Sequence, residues 1–196
     1  MGEMIKMVVV LTFLSVVSGG ALAYVQKNTT NLIEDNKLQF VKGPAIKTIL
    51  SGTSNNPVSD RFTIEQDGKK DLFFVGKYDG TPKAVAFETY GKGFGGDVYI
   101  VLGVNLDTDK LTGVRVTTMS ETPGVGARAK TDLTFVSQFA GQPLEGTFKV
   151  KADGGQVDAI GGATITSRAV SAALTDASKL YHELKPQIIE KAKALK

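Results

Sequence analysis

Between Asp158 and Ser167 the chain reads Asp158-Ala159-Ile160-Gly161-Gly162-Ala163-Thr164-Ile165-Thr166-Ser167, a glycine turn followed at once by hydroxyl side chains. From Thr166 to Leu180, apolar residues recur at Ala169/Val170, Ala173/Leu174, Ala177 and Leu180, close to helical spacing. Thr164 is therefore expected at or just before a helix N-terminus. Unpaired backbone N–H groups and the positive end of the helix dipole favour an anion there, and glycine lets a ligand approach the backbone closely. The chemistry on offer is phosphate binding beside two hydroxyls. A plain Thr/Ser helix cap after a glycine loop would use the same letters, so the turn alone leaves both readings open.

Upstream, Ser120-Glu121-Thr122-Pro123-Gly124-Val125-Gly126 contains a Thr-Pro-Gly turn, in which Pro presets φ and Gly accepts a positive φ. Read by itself, Glu121 there is a solvated loop carboxylate. Farther upstream, Gly91-Lys92-Gly93-Phe94-Gly95-Gly96-Asp97 leads into the apolar run Val98 to Leu102, a common way to begin a strand.

These segments, in this order, resemble the FMN-binding domain of the G subunit of Rnf electron-transport complexes and of the C subunit of the sodium-translocating NADH:quinone reductase. The resemblance covers the N-terminal apolar segment and most of residues 70 to 183. It implies covalent FMN, held by a phosphoester on the threonine that ends Gly-Ala-Thr, which here is Thr164. A flavin transferase using FAD makes that bond in the family, and the aspartate heading the motif, Asp158, belongs to what it recognises. The resemblance places Glu121, Thr122, Gly124 and Val125 beside the flavin, with Gly162, Ala163, Ile165 and Thr166 completing the site around the attachment point. Thr166 is the competing acceptor. Gly161 stands where relatives more often have Ser or Thr, which removes a side-chain hydrogen bond and leaves the acceptor hydroxyl untouched. Val125 replaces the usual Leu, and Met119 stands where His is frequent, so no proton role is implied at that position.

Composition narrows the remaining chemistry. The 196 residues contain no cysteine and one histidine, His182. Disulfides, thiolate iron–sulfur ligation, c-type haem attachment and cysteine nucleophiles are excluded, and no histidine-built metal site is expected. Redox chemistry must then be organic. The net charge of +3 is mild and the lysines are spread out, so nucleic acid is not an expected partner. The C-terminal lysines alternate with Glu183 and Glu190 as on the wet face of a last helix. Asn28-Thr29-Thr30 fits a glycosylation sequon too short to carry weight.

Positioning begins at the N-terminus. Met7 to Val25 is an uncharged run of about 19 residues, long enough to cross a hydrocarbon core. Ala21-Leu22-Ala23 also fits a signal-peptidase site; an uncleaved anchor is the expectation. Gly19, Gly20, Ser15 and Ser18 give it a small-residue face suited to close helix packing. Lys6 is offset by Glu3, and Lys27, Lys37 and Lys42 follow, so charge does not orient the helix. The resemblance implies a cytoplasmic (inner) membrane, N-terminus inside, with the FMN domain on the outer side.

Three parts are expected: a transmembrane anchor at 1–27, a helical lead-in at 28–69 and the FMN-binding domain at 70–196. The lead-in reads as a short helix from Thr29 to Gln39, another turn of helix from Pro44 to Leu50 and a loop from Ser51 to Asp60. Strands are predicted over Leu72–Tyr78, Lys83–Tyr90, Asp97–Leu106 and Leu111–Thr118, the last delivering the chain to the Glu121 loop. A helix from Thr131, with that residue as cap, to Ala140, a strand from Gly146 to Val150 and a helix from Ile165 to Leu195, interrupted near Pro186, complete the pattern. The expected fold is α+β, an antiparallel sheet with packed helices.

The expected role is an electron-transfer subunit in an Rnf-like, ion-translocating ferredoxin:NAD oxidoreductase, with other subunits, a flavin transferase and the lipid bilayer as partners. The polypeptide is then a relay and not a complete enzyme. A membrane-tethered FMN-domain protein serving another reductase or redox sensing is the alternative; a non-redox binding module whose glycine turn only caps a helix is a third.

Overall fold

The structure, a computed structural model, describes residues 2–66 and 68–195. The chain forms two compact units, one ending at Gln39 and the next beginning at Phe40. The first is built on α1 (Gly2–Lys37), within which Gly2–Thr30 has a mean hydropathy of 2.1 and no buried residues. The expected break between anchor and lead-in helix is absent. Thr29 and Thr30 donate their hydroxyls back to the carbonyls of Val25 and Gln26, at 2.5 and 2.6 Å, which satisfies the polar groups without ending the helix.

The boundary between the units falls within a π-helical turn, Leu38–Lys42, and α2 (Gly43–Ile49) follows it. Five strands follow: β1 (Arg61–Gln66), β2 (Lys69–Tyr78), β3 (Thr81–Lys92), β4 (Asp97–Asn105) and β5 (Leu111–Thr118). Each pairs antiparallel with the next, an uninterrupted meander. Register aligns Phe73, Phe87, Leu102 and Val114 across one face, where they form the core with Val170, Leu174 and Tyr181. Those last three lie on α5 (Thr164–Ala194). On the opposite face Ala86, Gly103 and Gly113 stand in one row, and a Cβ at Gly103 would overlap Ile49. That strip of small residues is what admits α2, whose Ile46 and Ile49 are buried. Both sheet faces are thus covered, so the central strands read as nearly continuous apolar runs.

Four local expectations give way. β1 lies inside the segment read as lead-in; its Phe62 and Ile64 alternate with Arg61, Thr63 and Glu65, too short a pattern to separate from loop. The helix expected from Thr131 to Ala140 is two short ones, α3 (Arg128–Thr131) and α4 (Leu133–Ser137). Its cap is Asp132, not Thr131: the Asp132 carboxylate accepts from the Thr134 N–H at 3.0 Å. No strand forms from Gly146 to Val150. Phe148 instead donates its N–H to Thr175 Oγ1 on α5 at 2.9 Å, and Val150 makes only an isolated bridge with Val157. Finally, α5 is continuous through Pro186. Proline costs one intrahelical bond, but Leu184, Ile188 and Ala192 lie buried on both sides of it, and that packing holds the helix.

Candidate functional site

Three chain segments converge at the start of α5: the glycine-rich turn between β3 and β4, the loop after β5, and the turn running into Thr164. Their hub is Glu121, which is 9% exposed and not the solvated loop carboxylate of its isolated reading. Its Oε1 accepts from the Gly95 N–H at 2.9 Å, and its Oε2 accepts from the Thr166 hydroxyl at 2.5 Å. One carboxylate therefore ties all three segments together. Close packing around it dictates glycine nearby: a Cβ on Gly126 would stand 2.6 Å from Glu121 Oε2 and 2.7 Å from Thr166 Oγ1.

That hydrogen bond separates the two threonines. Thr166 is 2% exposed with its hydroxyl committed to Glu121. Thr164 is half-exposed, is the first residue of α5, and its hydroxyl makes no hydrogen bond among those of the described residues. The residue before it, Ala163, supplies no side-chain cap. The first N–H groups of α5 lack intrahelical partners by geometry, so donors, dipole and hydroxyl present themselves together. The turn itself is rigid. Gly162 has φ +79°, Ile160 accepts from the Ala163 N–H at 2.9 Å, and the Ile160 N–H donates to the buried Ser167 hydroxyl at 3.0 Å.

A cavity of about 350 Å³ opens beside this helix start. Of the residues expected from the sequence, Glu121, Thr122 and Val125 line it from the loop, and Gly162, Ala163, Thr164, Ile165 and Thr166 from the turn and first helical residues. Gly124 is not a wall; it turns the loop, with φ +73°. Asp158 lies elsewhere, on an adjoining cavity, its side chain 71% exposed and paired with Lys151 at 2.6 Å. Two wall residues escaped the sequence reading, Gly126 and Phe94. Phe94 is 74% exposed at the mouth, although its neighbour Gly95 is anchored to Glu121. The signal was present as an aromatic between glycines, a combination that reads equally well as an ordinary approach to a strand.

Phe94, Val125 and Ile165 give the cavity an exposed apolar rim, and the α5 start turns toward it N–H groups of the kind that favour an anion. A flat ring carrying a phosphate on a short chain fits that division, since ring and phosphate need opposite environments. Behind the site, Arg168 donates to both carboxylate oxygens of Asp153 at 2.7 Å, fixing α5 to the short 3-10 turn Lys151–Asp153. The Arg168 guanidinium holds the Asp153 carboxyl below its ordinary range. Among the described residues no cluster of His, Asp or Glu suited to a metal occurs.

A five-stranded antiparallel sheet under a long helix, with a cavity at the helix start, has the architecture of a small-cofactor-binding domain. The family model described as FMN-binding domain matches residues 93–179, which include all three converging segments. The fold is shared with the crystal structure of the C subunit of Na(+)-translocating NADH-quinone reductase from Parabacteroides distasonis, at TM-score 0.56 and 23% identity, covering 73% of this chain and 92% of that one. Shewanella oneidensis NqrC aligns at TM-score 0.52 and 25% identity, covering 70% and 71%. Among curated proteins, the G subunit of the ion-translocating oxidoreductase complex of Methanosarcina acetivorans is 32% identical over 177 residues, 89% of this chain and 93% of that protein. The corresponding G subunit of Vibrio cholerae is 29% identical over 190 residues, 91% and 90%. The chain belongs to the family of G subunits of ion-translocating oxidoreductase complexes and carries its FMN-binding domain.

Proposed function

We propose that this protein is an FMN-carrying electron-transfer subunit of a membrane-bound, ion-translocating oxidoreductase of the Rnf type, with FMN bound covalently to Thr164 through a phosphoester. The observation that carries the attachment point is the contrast between two nearby hydroxyls: Thr166 donates to a buried carboxylate, while Thr164 stands half-exposed at an uncapped helix start.

In the attachment step, Thr164 Oγ displaces AMP from the FMN phosphorus of FAD. The Thr–O–P bond forms, the pyrophosphate P–O bond breaks, the hydroxyl proton passes to a base on the flavin transferase, and no electrons change hands. The N–H groups at the α5 start then hold the phosphate. Thr122 and Gly126 belong to the same wall of the cavity, and the exposed apolar side chains of Phe94, Val125 and Ile165 would shield a bound ring from water. Glu121 fixes the distance between these walls. Bound flavin supplies reversible electron transfer, and the protein supplies position and electrostatics. In the assembled complex, electrons pass between ferredoxin and NAD through partner subunits, with this subunit as a relay on the outer side of the membrane. A phosphoester suits that location, because it abolishes loss of cofactor by dissociation.

The test is the intact mass of the purified subunit produced with its transferase. The expected value is polypeptide plus one FMN phosphoester, with in-gel flavin fluorescence that survives denaturation and disappears in Thr164→Ala. A polypeptide-only mass, or fluorescence retained in Thr164→Ala and lost in Thr166→Ala, overturns the assignment.

A further inference from the structure

Two successive glycines, Gly161 and Gly162, stand just before Ala163 and the proposed acceptor Thr164, and glycine is the residue least able to hold one backbone geometry by itself. A nucleophile at the end of such a turn must be aimed by something else. Ser167 of α5 is placed to do it. The residue is fully buried, and its hydroxyl reaches both ends of the turn: Oγ accepts from the Ile160 N–H at 3.0 Å and donates to the Ala163 carbonyl at 3.0 Å. Across the same turn the Ala163 N–H donates to the Ile160 carbonyl at 2.9 Å. One buried hydroxyl thus clasps residues 160–163 from inside.

A serine that only back-bonds within its helix would not do this. Ser171 and Thr175 also donate to the carbonyl one turn earlier on α5, each at 3.0 Å, a common arrangement that leaves a turn outside the helix untouched. Ser167 differs because its hydroxyl also accepts, from Ile160, which lies outside the helix, and because the carbonyl it binds leads directly into Thr164. Ala163 has φ −125° and ψ 43°, so helical geometry does not set the direction of that carbonyl. The Ser167 N–H, at 3.0 Å, and the Ser167 hydroxyl set it together. The peptide unit is planar, so fixing the Ala163 carbonyl fixes the Thr164 N–H and the direction in which the Thr164 side chain leaves the turn. Upstream the chain is held as well: Gln138 Oε1 accepts from the Asp158 N–H at 2.7 Å, and Nε2 donates to the Asp158 carbonyl at 3.1 Å. Between that hold and the helix, the clasp removes the freedom that two glycines would leave.

Resting on the attachment reading of Thr164, we propose that Ser167 is the positioning residue of flavin attachment, its buried hydroxyl clasping the glycine turn so that Thr164 Oγ is aimed at the phosphorus it attacks. Ser167 does not line the cofactor cavity and takes no part in the bond changes. The Thr–O–P bond still forms, AMP still leaves with the electron pair of the broken P–O bond, and the hydroxyl proton still passes to the transferase. What Ser167 sets is the geometry of approach, and misplacement of a reacting group by about 1 Å costs on the order of a hundredfold in rate.

The test uses the full chain in detergent with purified flavin transferase and FAD, following covalent flavin by in-gel fluorescence as the acceptor concentration is varied. Ser167→Ala is expected to lower kcat by roughly ten- to a hundredfold while KM for the acceptor stays near wild type. Ser171→Ala removes a buried hydroxyl one turn further along the same helix and leaves the clasp intact; it should load at the wild-type rate. In the unloaded chain, amide hydrogen exchange across residues 160–164 should quicken in Ser167→Ala and not in Ser171→Ala. A wild-type kcat for Ser167→Ala, an equal loss in Ser171→Ala, or unchanged exchange across the turn overturns the proposal. If Ser167→Ala does not fold, Ser167→Cys, which keeps a side chain of similar shape with a weaker donor and acceptor, decides by the same readouts. A wild-type chain that takes no flavin overturns the attachment reading and this proposal with it, whereas loss of the clasp's effect on a wild-type chain that loads overturns the proposal alone.

Discussion

Thr164 and Thr166 sit within the first turn of one helix and share a side-chain chemistry, yet only Thr166 has its hydroxyl committed to a buried carboxylate. Thr166→Val is therefore expected to keep covalent flavin, while Thr164→Ala abolishes it and leaves the thermal melt of the domain near wild type. Glu121→Gln should retain loading, because the amide oxygen can still accept from the Gly95 N–H. Removing a negative charge beside the ring favours its anionic reduced form, so the reduction midpoint of the loaded Glu121→Gln protein is expected to rise in a spectroelectrochemical titration. An unchanged midpoint at full loading would make Glu121 a strut only. Phe94→Ala should raise flavin fluorescence and its quenching by iodide, since an exposed aromatic at the cavity mouth stacks on a planar ring and shields it. Equal fluorescence at equal loading would remove Phe94 from the cofactor's surroundings. The place of Thr164 at the start of α5 was legible because a short string carries it. Phe94, Gln138 and Ser167 were not, since what matters at each is a contact with a distant segment, and one sequence does not print contacts.

At the scale of elements, the long C-terminal helix is held to the β4–β5 hairpin by a polar lock as well as by its apolar face. Asp109, at a positive φ of 55°, accepts from the Tyr181 hydroxyl at 2.7 Å and from Lys185 Nζ at 2.6 Å. Burial alone would raise the Asp109 carboxyl, but hydrogen bonds from Lys185 and Tyr181, with the Lys185 charge, outweigh it and place the group below its ordinary range. Burial first, and then the hydrogen bond to Asp109, push the Tyr181 phenol up, so it stays a donor. A carboxylate whose folded value is depressed contributes stability that is complete above the unfolded value and lost as pH falls through the folded one. The melting-temperature advantage of wild type over Asp109→Asn is accordingly expected to be full at pH about 7 and to shrink below pH about 4; an advantage independent of pH would rule out the lock. Tyr181→Phe should cost about 1.5 kcal/mol, a hydrogen bond to a charged acceptor, or roughly 3–6 °C in melting temperature. Neither the lock nor the continuity of α5 through Pro186 was visible in the sequence. Periodicity located the helix, but only the burial of Ile188 and Ala192 shows why proline does not end it. The strand expected at Gly146–Val150 failed for the converse reason, because Thr175 on α5 took the hydrogen bond that a strand partner would have made.

At the scale of the whole molecule, the apolar segment and the cofactor domain need different solvents. Met4, Val8, Leu11, Phe13 and Leu22 of α1 are large and apolar, and Gly2–Thr30 is long and apolar enough to cross a membrane. An apolar helix of this length is suited to a hydrocarbon surround. This much was legible in the sequence, because an unbroken apolar run needs no tertiary context to be recognised. Orientation was not: Lys6 is balanced by Glu3, and Lys27, Lys37 and Lys42 on the other side give no decisive bias. The relay proposed here requires the domain on the outer side, where a cofactor that could dissociate would be lost. Protease added to intact spheroplasts is therefore expected to digest the domain, while a cytoplasmic marker survives. Membranes washed with high salt and carbonate should retain the undigested full-length chain, because the apolar helix and not charge holds it there. Digestion only after lysis would place the domain inside and break the relay. Release by the washes, with a new N-terminus just after Ala23, would make the apolar segment a cleaved signal, and the domain would then depend on partner subunits alone to stay at the membrane.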